Sequence, residues 1–502
     1  LVPKIHPVTK KTARVSYVLV SLSGRVRYGV HRSCVKNLLR GLTERVFAVE
    51  RNGKLAKPPA AKPGAFQRLD WIAKRVGCGI RHVPIEARAF AALYTGKRRT
   101  VYDKAVDSLE LTSVCQDDSE LKTFVKCEKI NFTEKPDPAP RVIQPRHPRY
   151  NVEVGRFLKT LEGRLMKRLG KLVRKQGKGV GPAVAKGLNA SDLGALIAAK
   201  WDNFADPVAV GCDASRFDQH VGVQALEWEH SVYLNAVDPA HRPELARLLK
   251  WQLLNKGIAF ADDGVIKYSV SGNRMSGDMN TGMGNCLIMC GMVIGYFDSI
   301  NLCRYDLINN GDDCVIIVER SDLKKIDGFV SYCLDLGFTM VMEAPVYELE
   351  KIEFCQMKPV ATETSYKMVR NHLTVFSKDC VTTHNLADKG TYSAYCHAIG
   401  RCGLALAGDI PCQGAFYNAL AGVGKPTKLK IGDGLGWWSK GMESGGYVVP
   451  SVRSRVSYWK AFGVTPDEQL AIERHYATSD LTWVNPIDTD LCQGFVHSCN
   501  LL

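Results

Sequence analysis

The chain lacks a C-x-x-C pair, although it carries 17 cysteines in 502 residues. Without that spacing a zinc site is not expected. The cysteines are scattered and odd in number, so a dense secreted disulfide framework does not fit. Reduced thiols in a cytosolic setting are expected instead. Long hydrophobic runs are missing as well. The longest, residues 286–297, contains glycines and is too short to span a bilayer. No signal-peptide pattern opens the chain, which starts at Leu1. The expectation is a downstream part of a longer product, with any membrane anchor outside these residues. Repeats and low-complexity blocks are also absent. With 45% apolar and 24% charged residues a large core can form, and wholesale disorder and collagen-like repeats are excluded. The length allows about three substructures.

Acidic residues are scarce in the front of the chain. Residues 1–200 hold 41 Lys and Arg against 16 Asp and Glu, while the remaining 302 hold 26 against 35. A basic front joined to an acidic remainder fits a polyanion partner, most simply nucleic acid. Solubilising surface charge is the plainer alternative.

Residues 51–65, rich in Lys, Pro, Ala and Gly, read as an exposed linker. Residues 126–149 are Pro-rich and cationic, hence extended. Residues 156–178 follow a helical rhythm, with Phe157, Leu158, Leu161, Leu165, Leu169 and Leu172 as the apolar stripe. The middle alternates strands and helices. A buried strand at 208–212 ends at Asp213. A helix covers 282–298, and a hairpin over 303–318 turns at Asn310-Gly311. A helix at 322–336 and strands at 338–343 and 351–357 follow. Helices at 391–407 and 413–422 favour a helical C-terminal part. The fold class expected is mixed α/β.

Three aspartates stand at chain turns. Asp213 ends a strand in VGCDASRFD, and Asp312 and Asp313 sit at the hairpin tip in NNGDDCV. A strand end beside a hairpin tip can gather carboxylates into one cluster, which is repulsive unless divalent cations occupy it. Mg²⁺ takes oxygen ligands, commonly a few carboxylates plus phosphate. Two such ions about 3.5–4 Å apart can activate a hydroxyl and stabilise a leaving phosphate. Gly-Asp-Asp alone is also an ordinary surface turn. The apolar strands on both sides and the earlier strand-terminal Asp favour the catalytic reading. Between them, residues 271–285 read SGNRMSGDMNTGMGN, a loop of small residues offering hydroxyl and amide groups. A helix N-cap accounts for one of these residues, not for all of them.

In these residues the chain resembles the viral RNA-dependent RNA polymerases. DASRFD is similar to that family's motif A, SGDMNTGMGN to motif B and NGDD to motif C, in matching order. KIEFCQ (351–356) resembles motif E, and FVKCEKINFTEKPDPAPRVIQPR (124–146) the basic motif F. The wording of motifs B and F is close to the tombusvirus family of plant positive-strand viruses. The resemblance implies a right-hand fold with an antiparallel palm sheet flanked by helices. The parts would be a basic N-terminal segment and linker at 1–65, fingers at 66–205, palm at 206–378 with a finger insertion near 240–270, and a helical thumb at 379–502.

It also implies roles. Asp213, Asp312 and Asp313 would be catalytic and hold two Mg²⁺ ions, with Mn²⁺ as a substitute. Asp218 would read the ribose 2′-hydroxyl with Ser276, Thr281 and Asn285. Asp218 also fits a helix cap, and the two roles are compatible. Lys129 and Arg141 would contact the triphosphate, and surface ion pairs are the plainer role for each. Lys126 is a weaker candidate. Lys126, Gly277, Phe354, Cys355 and Gln356 would touch template or primer, though a core strand also explains Phe354. No motif D general acid is assigned, because Lys324 and Lys325 come too early and Lys351 too late. The Trp437–Trp438 pair fits either a stacking platform or a buried aromatic cluster. The implied partners are viral RNA template and product, NTPs, an auxiliary viral replication protein and host factors. The implied location is the host cytoplasm, with membrane engaged only indirectly. A reverse transcriptase would share the aspartates but place an aromatic where Asp218 stands. A catalytically dead RNA-binding scaffold would not need the intact Asp set.

Overall fold

Runs of β-branched residues at 208–210 and 315–318 set the middle of the molecule. The computed structural model describes residues 1–7, 14, 16–19, 28–51, 53–386, 388–424, 439–442, 445–479, 481 and 495–497. In it the strands Tyr305–Asn310, Asp313–Glu319, Pro207–Ala214 and Met340–Met342 lie side by side in that order, all antiparallel. Alternation along each strand sorts side chains into two cores. Val208, Val210, Ile316 and Val318 face one core, which includes the helix Thr281–Ser299. Ala209, Val315 and Ile317 face the other, which includes the helices Lys389–Ala407 and Gln413–Gly422. Burial on both faces is why these strands read as continuous apolar runs.

The helix Thr281–Ser299 is buried without a break from Met283 to Phe297, as expected of a helix apolar all round. The hairpin is present, with its turn shifted by one residue. Asn310 pairs with Asp313, so Gly311 and Asp312 form the loop. Gly311 has φ +78°, a conformation that favours glycine at the first loop position of a tight hairpin.

Other segments depart further from expectation. The stripe over 156–178 is buried, but it is carried by two helices, Pro148–Leu158 and Glu162–Gly177. The segment 322–336 divides into a 3₁₀ turn, Arg320–Ile326, and a short helix, Phe329–Asp335. Residues 351–356 are not a strand. A 3₁₀ turn, Leu349–Lys351, leads to a tight turn closed by Phe354 N–H donating to Met357 O (2.9 Å) and the reverse bond (3.0 Å). Ile352 and Phe354 are both buried, and that two-residue spacing imitates a strand in the sequence. Residues 51–65 are not a free tether: Lys62 N–H donates to Asp335 O (2.8 Å), and its ammonium pairs with the Asp335 carboxylate (2.6 Å).

A second sheet has the order Val2–Ile5, Gly264–Ser271, Leu254–Ala261, Leu121–Val125, Val142–Ile143. The helix Val35–Leu42 packs against one of its faces. Trp437 and Trp438 lie outside the described residues. Among those described, no helix is long and apolar enough to cross a membrane.

One fully buried ion pair ties the central sheet to its neighbours. The Lys200 ammonium donates to Asp306 Oδ1 (2.8 Å) and to Val180 O (2.7 Å). Asp306 also accepts from the N–H groups of Val180 (2.7 Å) and Leu307 (2.8 Å). Removing one partner strands the other charge in low dielectric. Asp306→Ala is therefore expected to cost about 3–5 kcal/mol, read as a lower denaturation midpoint. Combining Lys200→Met with Asp306→Leu should recover part of that loss, because no lone charge remains.

Candidate active site

The strand register brings the three aspartates together. Cys212 pairs with Cys314, so the next step along each strand sets Asp213 beside Asp313, with Asp312 in the adjoining loop. The loop is held from beneath. Asn309 Nδ2 donates to Gly311 O and Asp313 O (both 2.9 Å), and Gly311 N–H donates to Cys286 Sγ (3.1 Å). Like charges on adjacent strands repel, and the titration of the carboxyls reflects this. Burial pushes Asp312 up to about 6, and Asp313, Asp218 and Asp213 add to the shift. Solvent nonetheless reaches both Asp312 and Asp313, which are exposed. Burial also raises Asp313. A hydrogen bond with Cys355 opposes that shift, and Asp213 and Glu353 reinforce it.

Asp218 lies five residues after Asp213, at the start of a short helical turn, Phe217–His220. Ser276 Oγ donates to its Oδ2 (2.6 Å), and Asn285 Nδ2 donates to its Oδ1 (2.8 Å). Arg274 Nε donates to Asn285 Oδ1 (3.0 Å) and itself pairs with the buried Glu229. Three of the four residues expected at the ribose therefore meet. Thr281 turns its hydroxyl to the carbonyls of Met275 (2.8 Å) and Asp278 (3.0 Å) and stands apart from the trio. Gly277 has φ +136°, and a Cβ there would lie 3.1 Å from the backbone at Gln144 and Pro145. That loop is pinned by Gln144 N–H donating to Ser276 O (2.8 Å) and by the Arg146–Asp278 pair (2.5 Å).

A cavity of 290 Å³ joins these groups. Asp218, Ser276 and Asp312 line it together with the cations Arg45, Lys126, Arg141 and Arg216 and with Arg274, which is paired to Glu229. Arg45 is brought down to about 10 by burial, then by the charges of Arg141 and Arg216. A second cavity of 500 Å³ shares Arg45 and Arg141 and includes Lys129, Glu353, Gln356 and Lys358. Lys129 thus lines the larger of the two cavities. Its ammonium donates to the carbonyls of Lys378 (3.0 Å) and Val381 (2.9 Å) and does not line the smaller cavity. Lys126, the weaker candidate, does line it, and pairs with Glu128 (2.8 Å).

Phe354 is buried, while Cys355 and Gln356 have φ +52° and +60°. Asn310 Nδ2 donates to Cys355 Sγ (3.5 Å), so this turn abuts the aspartate hairpin. Sequence reading missed Arg45, Arg216, Glu343 and Glu353. Arg216 stands inside DASRFD and could have been noticed there. Arg45 comes from 170 residues away in no motif, and only the fold brings it in. Burial raises the Glu343 carboxyl, as do the neighbouring Glu353, Asp213 and Asp313.

The sequence profile described as viral RNA dependent RNA polymerase matches residues 3–484. The RNA-directed RNA polymerase of Tomato bushy stunt virus (strain Cherry) is 46% identical over 460 residues, 91% of this chain and 55% of that protein. The enzyme of the same description from Tobacco necrosis virus (strain D) is 42% identical over 499 residues, covering 97% and 67%. That of Turnip crinkle virus is 44% identical over 477 residues, covering 93% and 60%. The chain spans 55% to 67% of the length of these relatives.

The raised Asp312 carboxyl has a consequence for stability. The folded state holds this proton more tightly than the unfolded chain, whose ordinary value is near 3.8. Stability should therefore fall as pH rises from about 4 to about 6, where the folded form is forced to ionise. In metal-free buffer Asp312→Asn should melt higher than the parent at pH 7.5, and the two should converge below pH 4. Thermal melts across that range check both the sign and the window.

Proposed function

The chain belongs to the viral RNA-dependent RNA polymerases, and from that premise we propose that it copies RNA by nucleotidyl transfer from NTPs. The observation that carries this reading is one cavity. It is lined by Asp312, by Asp218 and Ser276, which are hydrogen-bonded to each other, and by Arg45, Lys126, Arg141, Arg216 and Arg274, while Asn285 holds Asp218 from outside it. In this reading residues 206–378 form the palm, the basic residues before them the fingers, and residues 379–502 the thumb.

The donor set fits divalent magnesium. Asp213, Asp312 and Asp313 offer hard oxygen ligands, and their mutual repulsion is what a cation relieves. Among the described residues no three His, Cys, Asp or Glu side chains are gathered closely enough to hold a metal ion as they stand, so an ion here would need water and phosphate oxygens to complete its ligands. Bound there, two ions would supply activation of the attacking 3′-hydroxyl and charge neutralisation at the departing pyrophosphate.

The chain's own residues do the rest. Arg45, Lys126, Arg141 and Arg216 draw the triphosphate in and hold its oxygens. Their fixed positions orient the α-phosphate for in-line attack, where positioning and charge stabilisation supply most of the catalysis. The Asp218 carboxylate, already bonded to Ser276 and Asn285, presents a polar edge that a ribose 2′-hydroxyl can join. A deoxyribose would leave that edge underbonded, a penalty that selects against DNA precursors. This polar trio stands where a reverse transcriptase would carry an aromatic ring.

Primer extension on an RNA template with Mg²⁺ tests the reading. Asp312→Ala should lower ribonucleotide incorporation by about a hundredfold or more and leave RNA binding largely intact. Equal synthesis by variant and parent would remove the assignment. Asp218→Ala should narrow the preference for ribonucleotides over deoxyribonucleotides by about tenfold or more. A parent that prefers deoxyribonucleotides would instead establish the reverse transcriptase.

A further inference from the structure

The second, five-stranded sheet has one closed face and one open face. Leu121, Ala259 and Tyr268 on the inner face belong to the core that includes the helix Val35–Leu42. Alternation sends Lys122, Phe124, Lys256, Phe260 and Lys267 to the other face, where all five are exposed. The register fixes how they stand. Ile258 pairs with Lys122 on one side and Lys267 on the other, and Phe124 and Phe260 follow two residues further along their parallel strands. Lys4 joins the same face at the edge, paired with Val265. The two rings are 41% and 45% exposed. Among the described residues none of these four lysines forms an ion pair. Glu120, exposed at one end, is outnumbered by them.

A hydrophobic core does not explain these rings, because the core of this sheet lies on its opposite face. Exposed aromatics on adjacent strands, surrounded by unpaired cations of one sign, have the chemistry that holds single-stranded polynucleotide. Bases stack on the rings, and phosphates meet the ammonium groups. An anionic membrane or an acidic protein would use the lysines but gain nothing from base stacking. The face also leads to the active-site cavity. Ile143 pairs with Phe124 at the last strand and lines that cavity.

We propose that this sheet face, built on Phe124 and Phe260 and flanked by Lys4, Lys122, Lys256 and Lys267, is a stacking platform that holds single-stranded RNA outside the active site. The inference deepens the polymerase reading, and it is tested by binding rather than synthesis so that either can fail alone.

The probe is a fluorescently labelled single-stranded U20 RNA, titrated with the purified chain over a range of salt. Phe124→Ala with Phe260→Ala should weaken binding by about tenfold or more and leave the salt slope unchanged. Replacing both by Trp should retain the parent's affinity. Lys122→Ala, Lys256→Ala and Lys267→Ala together should reduce the slope of log affinity against log salt by about 2. Leu111→Ala, at an exposed helix end away from this sheet, is the control and should match the parent. Parental affinity and slope in both sets would overturn the platform. So would an equal loss on an RNA duplex, or a loss seen on phosphatidylserine vesicles and not on U20. Thermal melts matching the parent establish that the variants are folded, and the Trp pair and the lysine set test the platform even if the alanine pair unfolds. If the parent makes no product but the Phe variants lose U20 binding, the platform stands and the catalytic reading falls.

Discussion

The central constraint in this molecule is repulsion between carboxylates that the backbone holds together. Asp213 and Asp313 stand at adjacent strand ends, and Asp312 projects from the loop between two buried strands. Asp218, Glu343 and Glu353 add further negative charge around them. The sheet must therefore be stable enough to hold an arrangement that its own electrostatics oppose. Two cores, one on each face, provide that stability, together with the side chain of Asn309 bonded across the turn.

The opposing charge is not distributed among the acids. Cations share a cavity with Asp312, namely Arg45, Lys126, Arg141 and Arg216, of which Lys126 and Arg141 pair with Glu128 and not with the aspartates. Close acid–base pairing would cancel both sets and leave nothing for a ligand. Among the described residues the three aspartates themselves form no ion pair, which leaves a space lined by both signs, suited to a substrate that carries phosphates and joins divalent cations. Where the fold needs charge only for structure, it does the reverse. Lys200–Asp306, Arg146–Asp278 and Arg370–Asp379 are buried and closely paired. Lys129 lines the larger cavity, and its ammonium donates to backbone carbonyls, as the guanidinium groups of Arg45 and Arg216 also do.

Rigid parts also meet strained ones at this site. Arg216, Cys355 and Gln356 all have positive φ without being glycine. Each conformation costs of order 1–3 kcal/mol, and each lies where a functional turn touches the hairpin or the cavity. Among the described residues Arg81, Lys178, Asn273, Asn301 and Cys412 share the positive φ, so backbone strain accompanies carboxylate crowding at the site without being confined to it.

Much of this was legible in the linear chain. The apolar runs around Asp213 and Asp312, the glycine at 311 and the small-residue loop before residue 281 are local signals, and periodicity carries them directly. The buried helix at 281–299 and the C-terminal helices follow for the same reason. Local pattern misled where two periods coincide, as at Ile352 and Phe354, whose spacing suits a strand but which lie in a turn. The presence of Arg45 in one cavity with Asp312, the bonds of the Lys129 ammonium to carbonyls, and the exposure of Phe124 and Phe260 were beyond its reach. Those depend on which surfaces meet after strands far apart in sequence have paired. Hydrophobic periodicity decides which residues are buried within an element, but not which charged side chain will face another across a cavity. Sequence alone therefore determined most of the elements, the acidic centre and the cations Lys126 and Arg141, and tertiary packing decided that Arg45 and Arg216 join them in one cavity.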